Sequence, residues 1–123
     1  MTRTAHQTVL NFRWAVDLAL TVASHGWVHL APWQWDPQAG RLARRERLGP
    51  RVGIIAVTQR DPVGAIVDWN GFGAADETAV LGRVSRWLSA DWEPSMAITA
   101  LPDAAVLIKA GGGRMLRGST FHE

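Results

Sequence analysis

Between residues 41 and 70 apolar and polar positions alternate, and the alternation is interrupted twice. "RLARRERL" (41–48), "RVGIIAVTQ" (51–59) and "GAIVDWN" (64–70) are each of strand length. Gly49-Pro50 and "RDPVG" separate them, and both are turn signals. The pattern predicts a three-stranded antiparallel meander. On the first strand Arg45 and Arg47 point one way, and Arg44 with Glu46 the other. On the second, Val52, Ile54 and Ala56 oppose Gly53, Ile55 and Val57. Both of its faces are apolar, so it is predicted to be the central strand.

Upstream, "TVLNFRW" (8–14) alternates loosely and predicts a first strand, with Val9, Phe12 and Trp14 available for burial. From Asp17 the period becomes helical. Asp17 is an N-cap candidate, Leu18, Val22 and His25 share a face, and Gly26 is a stop. "APWQWDPQAG" holds two prolines, which bar a continuing helix and most central-strand pairing. If that stretch is extended, Trp33 and Trp35 share one face, packing the turn after the first helix against the sheet.

"ADETAVLGRVSRWL" (75–88) is the clearest helix. Asp76 is its expected cap, and Val80, Leu81, Val84, Trp87 and Leu88 form the apolar stripe. Arg83 and Arg86 are expected on the polar side. "DWEPSMAITALPDAAVLIKAGGG" predicts two short helices broken at Pro102, the second ended by the glycines of 111–113. Thr120 and Glu123 have capping-box spacing, the signature of a helix about to begin.

Composition narrows the classes. The 123 residues suffice for one core, and 47% hydrophobic with 20% charged residues is an ordinary globular balance. No apolar run approaches the ~18 residues of a membrane helix, and "MTRTAHQTVLNFRW" lacks a signal peptide's apolar core. The absence of cysteine excludes disulfides, thiolate chemistry and Cys-ligated zinc, and fits a cytoplasmic address. The net charge is only +2, but twelve of the thirteen basic residues are arginine, which favours planar bidentate partners such as phosphate or carboxylate.

Trp27, Trp33 and Trp35 crowd into nine positions. A base-stacking platform needs cations between its rings, and no Arg or Lys lies between residues 14 and 40. The cluster therefore reads as interior packing, as do Trp69 and Trp87. Arg41, Arg44, Arg45, Arg47 and Arg51 surround one hairpin. Such a run can follow a phosphate backbone, and it can equally guard a sheet edge against pairing. His6, His25, His29 and His122 form no metal constellation, and the acids offer no pair placeable in one cleft. Ser24-His25 and Ser119 suggest no triad, and "GGGR" (111–114) lacks the end of a P-loop. No catalytic residue, metal site or cofactor is expected.

Four segments, "DLALTVASHGWVHLAPWQWD", "RLARRERLG", "VSRWL" and "GGGRMLRGSTFHE", taken in order, resemble the N-terminal portion of helix-hairpin-helix DNA glycosylases. The resemblance is to the DNA-3-methyladenine glycosylase II type and its 8-oxoguanine glycosylase-like relatives. It implies an α+β fold: a small antiparallel sheet with helices packed on one face, like the TATA-box-binding protein. It implies a domain over 1–110 and a junction over 111–123 leading to a catalytic helical domain, with the base-flipping chemistry of DNA repair downstream. The expected function is that of the non-catalytic N-terminal part of a base-excision glycosylase, with DNA as partner and no membrane. By the resemblance, Arg114 and Arg117 are candidate junction residues near DNA. The hairpin adds Arg45 and Arg47. The alternative is a stand-alone nucleic-acid or protein binding module using the sheet face and the Arg41–Arg51 hairpin.

Overall fold

A computed structural model describes residues 5–23, 32–114 and 116–117. The expectations placed on His25, Gly26, Trp27, His29, Ser119, Thr120, His122 and Glu123 lie outside the described residues. Five strands run in chain order with four helices: β1 (Ala5–Asn11), α1 (Leu18–Val22), β2 (Trp33–Asp36), β3 (Arg41–Leu48), β4 (Arg51–Asp61), β5 (Gly64–Asn70), α2 (Glu77–Trp87), α3 (Ser95–Ala100) and α4 (Ala105–Lys109). The fold is α+β. The strands form one antiparallel sheet in the order β1-β5-β4-β3-β2, with β4 in the middle. The meander is as predicted, and the proline-bounded "WQWD" adds a four-residue edge strand beside it. Trp33 and Trp35 therefore belong to the sheet itself rather than to a turn laid against it.

Register sorts the side chains. One row across the sheet reads Trp33, Arg44, Ile55, Trp69, His6, and the next Trp35, Leu42, Val57, Val67, Thr8. These rows line the inner face, where Ile55, Leu42, Val57 and Val67 are fully buried. Helix α2 supplies Val80, Val84 and Trp87 to the same core, and its C-cap adds Leu88. The Trp33 ring meets Trp87 edge-on, with centroids 5.1 Å apart. Gly53 leaves space in this face, because a Cβ there would stand 2.2 Å from the Asn70 carbonyl and 2.8 Å from the Phe72 ring.

Two local expectations are corrected. Asp76 does not cap α2 with its side chain. Its carboxylate accepts from the Gly73 N–H at 2.7 Å and pairs with Arg51 across 25 residues of sequence. Arg83 does not lie on a purely solvated face; its guanidinium donates to Glu46 and to the Arg47 carbonyl, both at 3.1 Å. Asp17 does cap α1, accepting from the Leu20 N–H at 3.0 Å.

The segment after α4 closes the domain. Gly111 has φ +106, and a Cβ there would lie 2.4 Å from the Asp17 nitrogen, so a glycine is required. The N–H groups of Gly111 and Gly112 donate to the carbonyls of Ile108 and Leu107, at 3.0 and 2.9 Å, ending the helix. They are thereby spent, and not presented to an anion. Leu116 is fully buried, and the Arg117 N–H donates to the Trp87 carbonyl at 2.8 Å.

Candidate nucleic-acid interface

The outer face of the sheet carries the odd-numbered residues of β3 and the even-numbered ones of β4 and β5. Ala43 and Ala56 are sunk in its middle, while Val52, Ile54 and Val9 remain exposed around them. Alternation along β3 puts Arg41, Arg45 and Arg47 on this face and turns Arg44 and Glu46 inward. Arg41 donates to Asp68 at 3.0 Å on the same face. Arg51, at the hairpin, grips Asp76 through both nitrogens at 2.5 and 2.8 Å. Arg60 stands 3.9 Å from Asp61. The exposed guanidiniums of Arg45 and Arg47 have no ion pair or hydrogen bond among the described residues. The two are one pleat apart, on one face, and available.

Arg114 and Arg117 sit together at a cleft of about 390 Å³, with Ser89, Asp91, Trp92 and Gly113. Their environments differ. Arg114 is only 3% exposed, and its Nε donates to the Ala15 carbonyl at 3.0 Å. Its Nη1 donates to the carbonyls of Ser89 and Trp92 at 2.7 and 2.8 Å. Burial lowers its pKa from the usual guanidinium value, with Asp91 pulling the other way. Arg117 is half exposed and pairs with Asp91 at 2.8 Å.

A second cleft, of about 270 Å³, lies between α1, Trp35 and the β4–β5 turn. Its two carboxylates are occupied with local structure: Asp17 caps α1, and Asp61 accepts from the Val63 N–H at 2.9 Å. Gln59 spans the floor, accepting from the Leu18 N–H at 2.7 Å and donating to the Asp61 carbonyl. Among the described residues no group of His, Cys, Asp and Glu could hold a metal ion. No described helix is long and apolar enough to cross a membrane.

A buried ionic cluster was missed in the sequence. Arg44, Glu46 and Arg83 meet beneath α2, with Glu46 and Arg44 at 1% and 2% exposure. The signal was available, since Arg44 and Glu46 share parity with Leu42 and Leu48 on the apolar side of β3.

No family model matches the chain, and neither does any curated protein. Among solved structures, the fold matches a 3-methyladenine DNA-glycosylase from Archaeoglobus fulgidus with a TM-score of 0.68. The likeness is one of fold, over the matched part of that chain. The match covers 85% of this chain at 15% identity, and 37% of the archaeal chain. This chain thus spans little more than a third of the length of the archaeal protein that it matches.

Proposed function

We propose that the chain is the N-terminal, non-catalytic part of a base-excision DNA-repair glycosylase. In this reading residues 1–110 form a supporting domain and 111–123 lead towards a catalytic helical domain. The fold likeness carries it: most of this chain superposes on a minority of a glycosylase. The order of the resembling segments agrees. DNA contact is assigned to Arg45 and Arg47, whose free guanidiniums suit phosphate oxygens. Arg117, half exposed at the junction and paired there with Asp91, is the other candidate for contact. Arg114, held by three backbone carbonyls, keeps that junction in place.

A stand-alone binding module is the second reading. It is favoured by the exposed apolar residues Val52 and Ile54, which stand directly opposite the two free arginines.

Two assays with methylated duplex DNA test these readings. The 123-residue chain should release no base, and release would overturn the non-catalytic assignment. Its affinity should fall with salt, and Arg45→Ala and Arg47→Ala should each reduce the salt slope by about one. Unchanged affinity in both variants removes β3 from the interface. Base release by a longer protein that carries this domain separates the glycosylase reading from the stand-alone module.

A further inference from the structure

The two sides of the sheet end differently. Strand β2 has four residues, lies between Pro32 and Pro37, and ends in Asp36. Beyond its reach β3 carries Arg45 and Arg47, and Arg83 covers the Arg47 carbonyl. Short length, proline, charge and a covering side chain are all devices that stop strands from adding. Among the described residues, strand β1 has none of them. Its sequence, AHQTVLN, runs for seven residues without Lys, Arg, Asp, Glu, Pro or Gly, in unbroken register with β5.

The direction of its backbone groups follows from one bond. The Phe12 N–H donates to the Val63 carbonyl at 2.8 Å, continuing the β1–β5 register. In an antiparallel ladder this makes the even-numbered residues of β1 the ones bonded to β5. The N–H and C=O of Ala5, Gln7, Val9 and Asn11 therefore point away from the sheet.

We infer that β1 is a dimerisation edge and pairs antiparallel with the β1 of a second copy of this chain. A twofold axis at Thr8 sets Gln7 of each copy against Val9 of the other, and Ala5 against Asn11. These are hydrogen-bonded pairs, and they use every outward group named above. Thr8 meets its own copy in a non-hydrogen-bonded pair, where side chains approach closest and threonines pair favourably. His6 faces Leu10. No like charges oppose one another, because the strand carries none. Its own reverse is thus a register-matched partner, and the sheet grows continuously from one copy into the next.

The chain has no cysteine, so Thr8→Cys introduces a single thiol at the axis. Its Cα should lie about 4.5 Å from its symmetry mate, within disulfide reach. Mild oxidation should convert Thr8→Cys to a covalent dimer. Ala5→Cys should stay monomeric, because its two Cα atoms would stand about 20 Å apart at the rise of an extended strand. Sedimentation of the unsubstituted chain should show a concentration-dependent dimer that Val9→Pro abolishes, since that change deletes an outward N–H and leaves the β5 ladder intact. Unchanged circular dichroism would show that Val9→Pro is folded; if it is not, the cysteine pair still decides. A chain monomeric at every concentration, or equal cross-linking of both cysteine variants, overturns the proposal. None of these outcomes depends on whether the chain binds DNA.

Discussion

Trp87 Nε1 donates to Glu46 Oε1 at 2.9 Å, tying α2 to the inner face of the sheet. The same carboxylate accepts from Arg83 at 3.1 Å and lies 3.4 Å from Arg44 Nε. Arg44 is within ion-pair range but outside hydrogen-bond geometry, since its buried Nε and Nη1 have no hydrogen-bond partner. Its guanidinium instead stands 4.7 Å from the Trp33 ring centre. Glu46 is thus the counter-charge that makes a buried arginine tolerable. Glu46→Gln should cost about 3–5 kcal/mol by urea denaturation, because it strands that charge. Arg44→Met combined with Glu46→Leu should lie closer to wild type, since both charges leave together.

Trp33 is 7% exposed at the end of the row that contains Arg44 and Ile55. Trp33→Ala should cost about 3–5 kcal/mol, as truncation of a buried aromatic leaves a cavity against Trp87. Trp35→Ala, at a half-buried position, should cost less in the same denaturation series.

Two glycine substitutions should move stability in opposite directions. Gly111→Ala combines a positive φ with a collision against the backbone of Val16 and Asp17, and should cost well over ~1 kcal/mol. Gly82→Ala faces open space on an exposed turn of α2 and should gain about 0.5–1 kcal/mol from helix propensity. Thermal denaturation of the two variants checks the contrast.

Arg51 and the Gly73 N–H hold the Asp76 carboxyl below the ordinary carboxylate range. The Ser95 hydroxyl and N–H do the same for Glu93. A carboxyl depressed in the folded state stabilises fully above its unfolded pKa of about 4, and the effect is lost as pH falls through the folded value. Melting temperature should therefore decline on acidification below about pH 4. Asp76→Asn should flatten part of that decline while leaving the neutral-pH limb parallel to wild type.

Much of this architecture was legible from periodicity. The meander, the central place of β4, α2 and the break at Pro102 are set by side chains within a few residues of one another. The features that escaped depend on distant partners. Asp76 has the residue type and place of a cap, but Arg51 arrives from another strand and takes its carboxylate. Arg83 sits on the helix flank that pattern assigns to solvent, and turns towards Glu46 once β3 is packed beneath it. "WQWD" looked like a proline-rich turn, yet two prolines flanking four residues leave room for a short edge strand. At the proposed interface, parity placed Arg45 and Arg47 on one face, while their freedom from acidic partners is visible only once every neighbour is in place.

The grip of Arg114 on Ala15 joins residues 99 apart in sequence, and Leu116, two positions further on, is fully buried in the core. A nascent chain can form its β3–β4–β5 meander early, but it cannot complete this closure until those late residues have left the ribosome. During synthesis the first strands would wait with their apolar side uncovered, making this small domain a client for whatever shields emerging polypeptides. A stop codon just before Arg114 would leave them in that condition permanently.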